Sequence, residues 1–194
     1  MYKIKKTSTP DPIEINICSW EGFPQKPETI AFLTLTETGF RATFRVQESD
    51  PKRVNTEHFS FVHLDSCVEW FVNFSPETCN SYFNFEVNAA GAMNVAFRRD
   101  RYDFDDLTAD DVNSFNITTE IHEDYWEATY EIPFSFISKY IPGYEPKNGD
   151  VIKTNLYKCG DETAEPHLLS HFKVGCPNPD FHRPEYFGEM MLEF

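Results

Sequence analysis

The chain has 194 residues, 17 basic against 32 acidic, for a net charge of −15. A field of that sign repels phosphate backbones and anionic lipid, which argues against nucleic-acid and membrane-surface partners. No run nears the 18 apolar residues of a membrane-spanning helix, and a chain of this length buries roughly 70% of its unfolded surface, enough for one domain that needs neither metal nor disulfide to fold.

Residues 1–29 read as a lead-in, with one strand at Tyr2–Lys5 and another from Ile13, where Ile13, Ile15 and Ile17 alternate with Glu14 and Asn16. Ala31–Thr36 and Phe40–Gln47 form a hairpin across Glu37-Thr38-Gly39, with Phe40, Ala42, Phe44 and Val46 on the core face. Phe59–Leu64 reads as a short strand. Three strands follow in succession. Val68, Trp70 and Val72, then Phe83, Phe85 and Val87, then Met93, Val95 and Phe97 occupy one phase of a period-two pattern. The other phase carries Glu69, Tyr82, Asn84, Glu86, Asn88, Asn94 and Arg98. Side chains that both donate and accept hydrogen bonds, beside an aromatic, suit a hydroxyl-rich ligand better than plain solvation.

Arg99–Asn113 lacks periodicity and reads as a long acidic surface loop. Phe115–Glu120 and Tyr125–Ile132 make a further pair of strands, Pro133–Tyr140 a short helix that Pro142-Gly143 stops, and Val151–Tyr157 a strand. Pro166–Pro184 is irregular, and Glu189–Phe194 closes the chain as a strand. Ten or so short strands with one helix indicate an all-β fold, an antiparallel β-sandwich of jelly-roll type spanning residues 1–194 as a single domain.

Five cysteines, Cys18, Cys67, Cys79, Cys159 and Cys176, are an odd set with no CxxC pair. They fit free thiols in a reducing cytoplasm, and no apolar stretch follows the N-terminal lysines to mark a secretory signal. Secretion of a processed form stays open. The acidic loop from Asp100 to Asp106, with Asp110 and Asp111, holds enough oxygens for calcium but lacks the EF-hand spacing. His167 and His171 are four apart without the glutamate of HExxH, and in extended chain they stand too far apart to share one ion. Glu69 and Glu86 are candidate carboxylates for glycosidase chemistry. Met93 with His182 is a candidate axial pair for haem, a cofactor that related sandwiches bind. Arg183, next to Phe181 and Tyr186, suits a hydroxyl pair or carboxylate, or else an internal ion pair with Glu185 or Asp180.

Four runs in fixed order, Asp65–Val72, Tyr82–Gly91, Asn155–Asp161 and Asp180–Gly188, resemble those of the family 9-like carbohydrate-binding modules, best known as accessory modules of xylanases. The resemblance covers about residues 30–194. It implies a jelly-roll-like sandwich that binds sugar without catalysis, structural calcium, and a terminal sugar held between two tryptophans. Here His171, in Leu169-Ser170-His171-Phe172, stands where the family usually has tryptophan, and Trp70 lies on the core phase. The expected partner is a mono- or oligosaccharide. Its expected floor is Asn84, Glu86, Asn88 and Arg98 with Glu69 beside them, and its expected rim Lys158, Asp161, His171, His182 and Arg183. No catalytic residue and no metal ligand is assigned.

Overall fold

A computed structural model describes residues 1–24 and 26–194. Its strands are β1 (Tyr2–Lys5), β2 (Ile13–Glu14), β3 (Thr29–Leu35), β4 (Gly39–Val46), β5 (Cys67–Asn73), β6 (Tyr82–Asn88), β7 (Met93–Arg98), β8 (Phe104–Asp106), β9 (Thr118–Ile121), β10 (Trp126–Pro133), β11 (Val151–Cys159), β12 (Leu168–Ser170) and β13 (Gly188–Glu193). Two short helices, α1 (Ala109–Asn113) and α2 (Phe134–Tyr140), interrupt them.

Hydrogen bonding runs through the order β8-β7-β6-β5-β11-β13-β1-β3-β4-β10-β9, with β12 on β11 and β2 on β3. The path doubles back on itself as a sandwich. One leaf is built on β5, β6, β7 and β11, the other on β3, β4 and β10, and their inner faces share one core. Across it Phe40 meets Trp70 edge-on at 5.9 Å between centroids, and Phe85 meets Tyr130 at 6.1 Å. Trp70 is fully buried and donates from its indole to Thr154 Oγ1 at 2.7 Å, which removes the cost of hiding that N–H. Each such aromatic contributes about 1.5–3 kcal/mol through burial.

Period-two alternation places the inner residues of β5, β6 and β7 as expected, because one face of each strand must be apolar for the leaves to close. Four readings need correction. The sandwich is not wholly antiparallel: β1 pairs parallel with both β13 and β3, linking the leaves. Residues 62–64 form a 3-10 turn instead of a strand, just after Phe59 takes a left-handed backbone at φ 63°. The stretch after Arg98 holds β8 and α1; β8 is exposed along its length, so it has no apolar phase to read, and α1 is set by a Thr108–Asp111 capping box. Lastly, β12 lies within the supposedly irregular tail.

Candidate functional site

The outer face of the β5–β6–β7–β11 leaf is where the site forms. In register, Glu69 lies opposite Glu86 and Tyr157, Phe71 opposite Asn84 and Asn155, and Cys67 opposite Asn88 and Cys159. Opposed residues share a face, with Cβ atoms about 4.5–5.5 Å apart. The tail between β12 and β13 folds over much of this face. Phe181 stacks on Tyr157 at 4.0 Å between centroids, and Phe187 packs edge-on against Tyr82 at 5.4 Å. What remains open is a cavity of about 210 Å³. Its floor is Glu69, Glu86, Phe71 and Cys159, its walls His63, Asp161, Leu168, Phe181 and His182, and its rim Arg101, Pro179 and Asp180.

A buried polar chain sets the floor. Glu86 accepts from Asn84 Nδ2 at 2.9 Å and from Asn94 Nδ2 at 3.1 Å, while Asn84 Oδ1 accepts from Arg98 Nε at 2.6 Å. Arg98 is held in turn by the Arg101 carbonyl at 2.9 Å and by the Phe104 ring, 4.5 Å from its guanidinium carbon. The hydrogen bonds run from a cation through an amide to a carboxyl group, so each polar member is satisfied although almost none reaches water. Burial, with the nearby Cys159 and Glu86, pushes the Glu69 carboxyl well above the usual range. Burial also raises Glu86, against the pull of Asn94, His63, Arg98 and Asn84. Burial beside Arg98, Arg101 and His63 lowers His182 to about 3, so its imidazole is neutral at pH 7 and its Nδ1 faces the Tyr82 hydroxyl at 3.1 Å.

The structure brings together Glu69, Glu86, Asp161 and His182 on one cavity. Asn84 and Arg98 stand immediately behind Glu86 as its support. The other expected site residues lie elsewhere. Asn88 closes the end of β6, donating to Asn55 O at 2.7 Å and Asp65 Oδ2 at 2.9 Å. Lys158 falls on the inner phase of β11 opposite Val68, where its ammonium meets His167 Nε2 at 2.6 Å and Ser66 Oγ at 3.0 Å. His171 faces the Glu14 carbonyl at 2.8 Å. Arg183 pairs with Glu185 at 2.7 Å, the internal ion pair that the sequence left open.

Phe71, Cys159, His63, Leu168 and Arg101 were missed. The phase that carries Glu69 already included Phe71, and Cys159 is the next residue after Tyr157 on the same face of β11. His63, Leu168 and Arg101 come from other segments, and no local signal marks them.

The remaining candidates also resolve. Trp70 and Trp126 are core, and Trp20 is mostly buried, donating to Cys176 O at 2.9 Å, so no tryptophan lines the cavity. Met93 points into the core while His182 lies across the sheet from it, which separates the two as haem ligands. Glu69 and Glu86 are cross-strand neighbours whose carboxyl groups burial raises together, whereas a glycosidase pair needs one ionised carboxylate beside one protonated acid. The acidic loop is organised around an arginine: Arg99 pairs with Asp103 at 2.7 Å and with Asp105 at 2.9 Å, and Asp100 accepts the Tyr102 and Asp103 amides. Asp111 is held by Thr108 and Lys139, so with Asp100, Asp103, Asp105 and Asp111 all engaged, the two remaining carboxylates, Asp106 and Asp110, are too few for the roughly six to eight oxygens calcium takes.

Solved structures share the fold. A protein of Bacteroides uniformis, named as a candidate carbohydrate-binding protein, superposes with a TM-score of 0.86 at 23% identity over 99% of both chains. A family 9 carbohydrate-binding module of Caldicellulosiruptor kristjanssonii gives 0.68 in complex with cellotriose, at 12% identity over 99% of this chain and 93% of that one. Such a module from the same organism in complex with glucose gives 0.64, at 13% identity over 98% and 95%. No curated protein matches the sequence. The model for carbohydrate-binding family 9 matches residues 5–192, nearly the whole chain. The chain belongs to carbohydrate-binding family 9, a family of non-catalytic sugar-binding modules.

Proposed function

We propose that the cavity over Glu69 and Glu86 receives a single sugar ring, either a monosaccharide or the terminal residue of an oligosaccharide. One observation carries this: about 210 Å³ of space in which two carboxyl groups, Asp161 and His182 converge beside the rings of Phe71 and Phe181. Sugar rings present hydroxyls at their edge and C–H groups on their faces, so polar groups beside aromatic rings match both. The cellotriose and glucose complexes of similar modules support the choice of ligand class. Without tryptophan in the cavity, Phe71 and Phe181 supply the apolar contact. Each hydrogen bond to a hydroxyl nets only about 0.5–1.5 kcal/mol, so millimolar to high-micromolar affinity is expected. Five unpaired cysteines support a reducing compartment as the place where this happens.

Calorimetry against a panel of neutral mono- and oligosaccharides tests the reading. Glu86→Ala and Phe181→Ala are expected to weaken the best ligand about 2–10-fold each. His171→Ala, outside the cavity, should leave its affinity unchanged. Silence across the panel, or equal affinity in all four proteins, would end it.

A further inference from the structure

A second chemistry sits in the same floor. Cys67 and Cys159 are register partners on antiparallel β5 and β11, and Glu69 is the next residue of β5 on that face. The two sulfurs and a Glu69 oxygen all lie within 4.8 Å of one another, and Cys159 Sγ donates to Glu69 Oε1 at 3.0 Å. All three side chains are at least 97% buried, and both thiols are free. Neither sugar binding nor core packing asks for a paired thiol here. Valine or alanine would fill the space without a polar sulfur, while two soft sulfurs and one oxygen around a common point are what a tetrahedral thiolate site needs.

We infer that Cys67, Cys159 and Glu69 bind a divalent cation of the zinc class, with the fourth coordination position turned toward the cavity. The donor set decides the class. Calcium and magnesium take oxygen ligands, so two sulfurs exclude them; two thiolates with one carboxylate in a three-cornered arrangement suit Zn²⁺ and its spectroscopic substitute Co²⁺. Glu69 and Cys159 also line the cavity, so an ion has a way in. Binding is a proton exchange: two Cys–S⁻–metal bonds form as two S–H protons leave to water, and the Glu69 carboxyl gives up its own proton where it holds one. In the metal-free chain those protons are held firmly. Burial raises the Cys67 thiol to about 11, and the hydrogen bond with Cys67 together with burial raises Cys159 well above its ordinary value.

The test uses the full chain, reduced and stripped of metal, titrated with Co²⁺. A sulfur-to-cobalt charge-transfer band in the near ultraviolet should grow, saturate at one equivalent, and vanish on adding Zn²⁺. Cys67→Ser and Cys159→Ser should each abolish or strongly reduce it, and Cys79→Ser, outside the cluster, should keep it. X-ray absorption on the zinc-loaded wild-type chain needs no variant to fold, and should show two sulfurs at about 2.3 Å and lighter scatterers near 2.0 Å. No band in the wild-type chain, a band that survives both cluster substitutions, or a zinc shell without sulfur would overturn the inference. A Cys67–Cys159 disulfide that persists in the reduced, metal-stripped chain would do the same. The inference does not rest on sugar recognition: a chain that binds sugar and shows no band removes only the metal site, and a chain with the band that ignores sugars removes only the other reading.

Discussion

Asn84 is the point at which the polar floor is most exposed to a single change. It is fully buried, and its side chain makes two bonds, donating to Glu86 Oε1 at 2.9 Å and accepting from Arg98 Nε at 2.6 Å. Asn84→Ala removes both and offers no water in exchange. The bond from the guanidinium is charge-assisted and contributes about 1.5–3 kcal/mol, and the neutral one about 0.5–1.5 kcal/mol. Arg98 keeps the Arg101 carbonyl and the Phe104 ring, and Glu86 keeps Asn94, which limits the total to about 2–4 kcal/mol. For a chain near 200 residues that lowers Tm by on the order of 5–15 °C. Asn84→Asp serves as the comparison. It restores an acceptor for Arg98 but places a second carboxyl group beside Glu86, so its Tm should fall between the wild-type and Ala values. Calorimetric melts at pH 7 with urea unfolding of the same three proteins make the measurement. A shift below about 1 °C for Asn84→Ala would refute the claim that this chain of hydrogen bonds holds the floor.

Other outcomes can be checked alongside. His182 is neutral in the folded protein down to about pH 3, whereas in the unfolded chain it protonates near 6.5, so stability is present above 6.5 and lost as pH falls toward 3, by up to about 1.4 kcal/mol per pH unit. The raised Glu69 and Glu86 act in the opposite sense, favouring the folded protein at low pH, so the histidine is isolated by comparing wild type with His182→Gln in urea melts from pH 7 to 4; a difference between the two that does not change with pH would contradict the assignment. Gly39→Ala puts a Cβ onto the Ile132 carbonyl oxygen and 2.9 Å from Pro133 Cα, backbone atoms of a paired strand that cannot swing away, and should cost about 2–3 kcal/mol in a urea melt. At Gly188 the neighbour is the Phe172 ring, a side chain able to turn, so Gly188→Ala should cost less than Gly39→Ala under the same conditions.

The sequence by itself determined which residues share a face. Alternation along Val68–Asn73, Tyr82–Asn88 and Met93–Arg98 reports a leaf with one apolar side, because strand side chains alternate by geometry and the apolar ones must be buried, and it set Glu69, Asn84, Glu86 and Arg98 on the side away from the core. It could not tell which of those four would touch a ligand and which would only brace one that does. Tertiary structure decided that. The tail from Phe172 to Phe187 covers Tyr82 and Tyr157 and leaves open only the patch over Glu69 and Glu86, so Asn84 and Arg98 became support for a carboxyl group. The side chains of Lys158, His171 and Arg183 have the chemistry of a sugar site, but strand phase turned Lys158 inward, the distant Glu14 carbonyl took His171, and neighbouring Glu185 took Arg183. Pairing between distant strands has no local signature: Cys67 and Cys159 lie 92 positions apart, and only the register of β5 against β11 sets one sulfur beside the other. Period-two patterning is a property of each strand alone, whereas a cavity belongs to the strands and loops that meet around it.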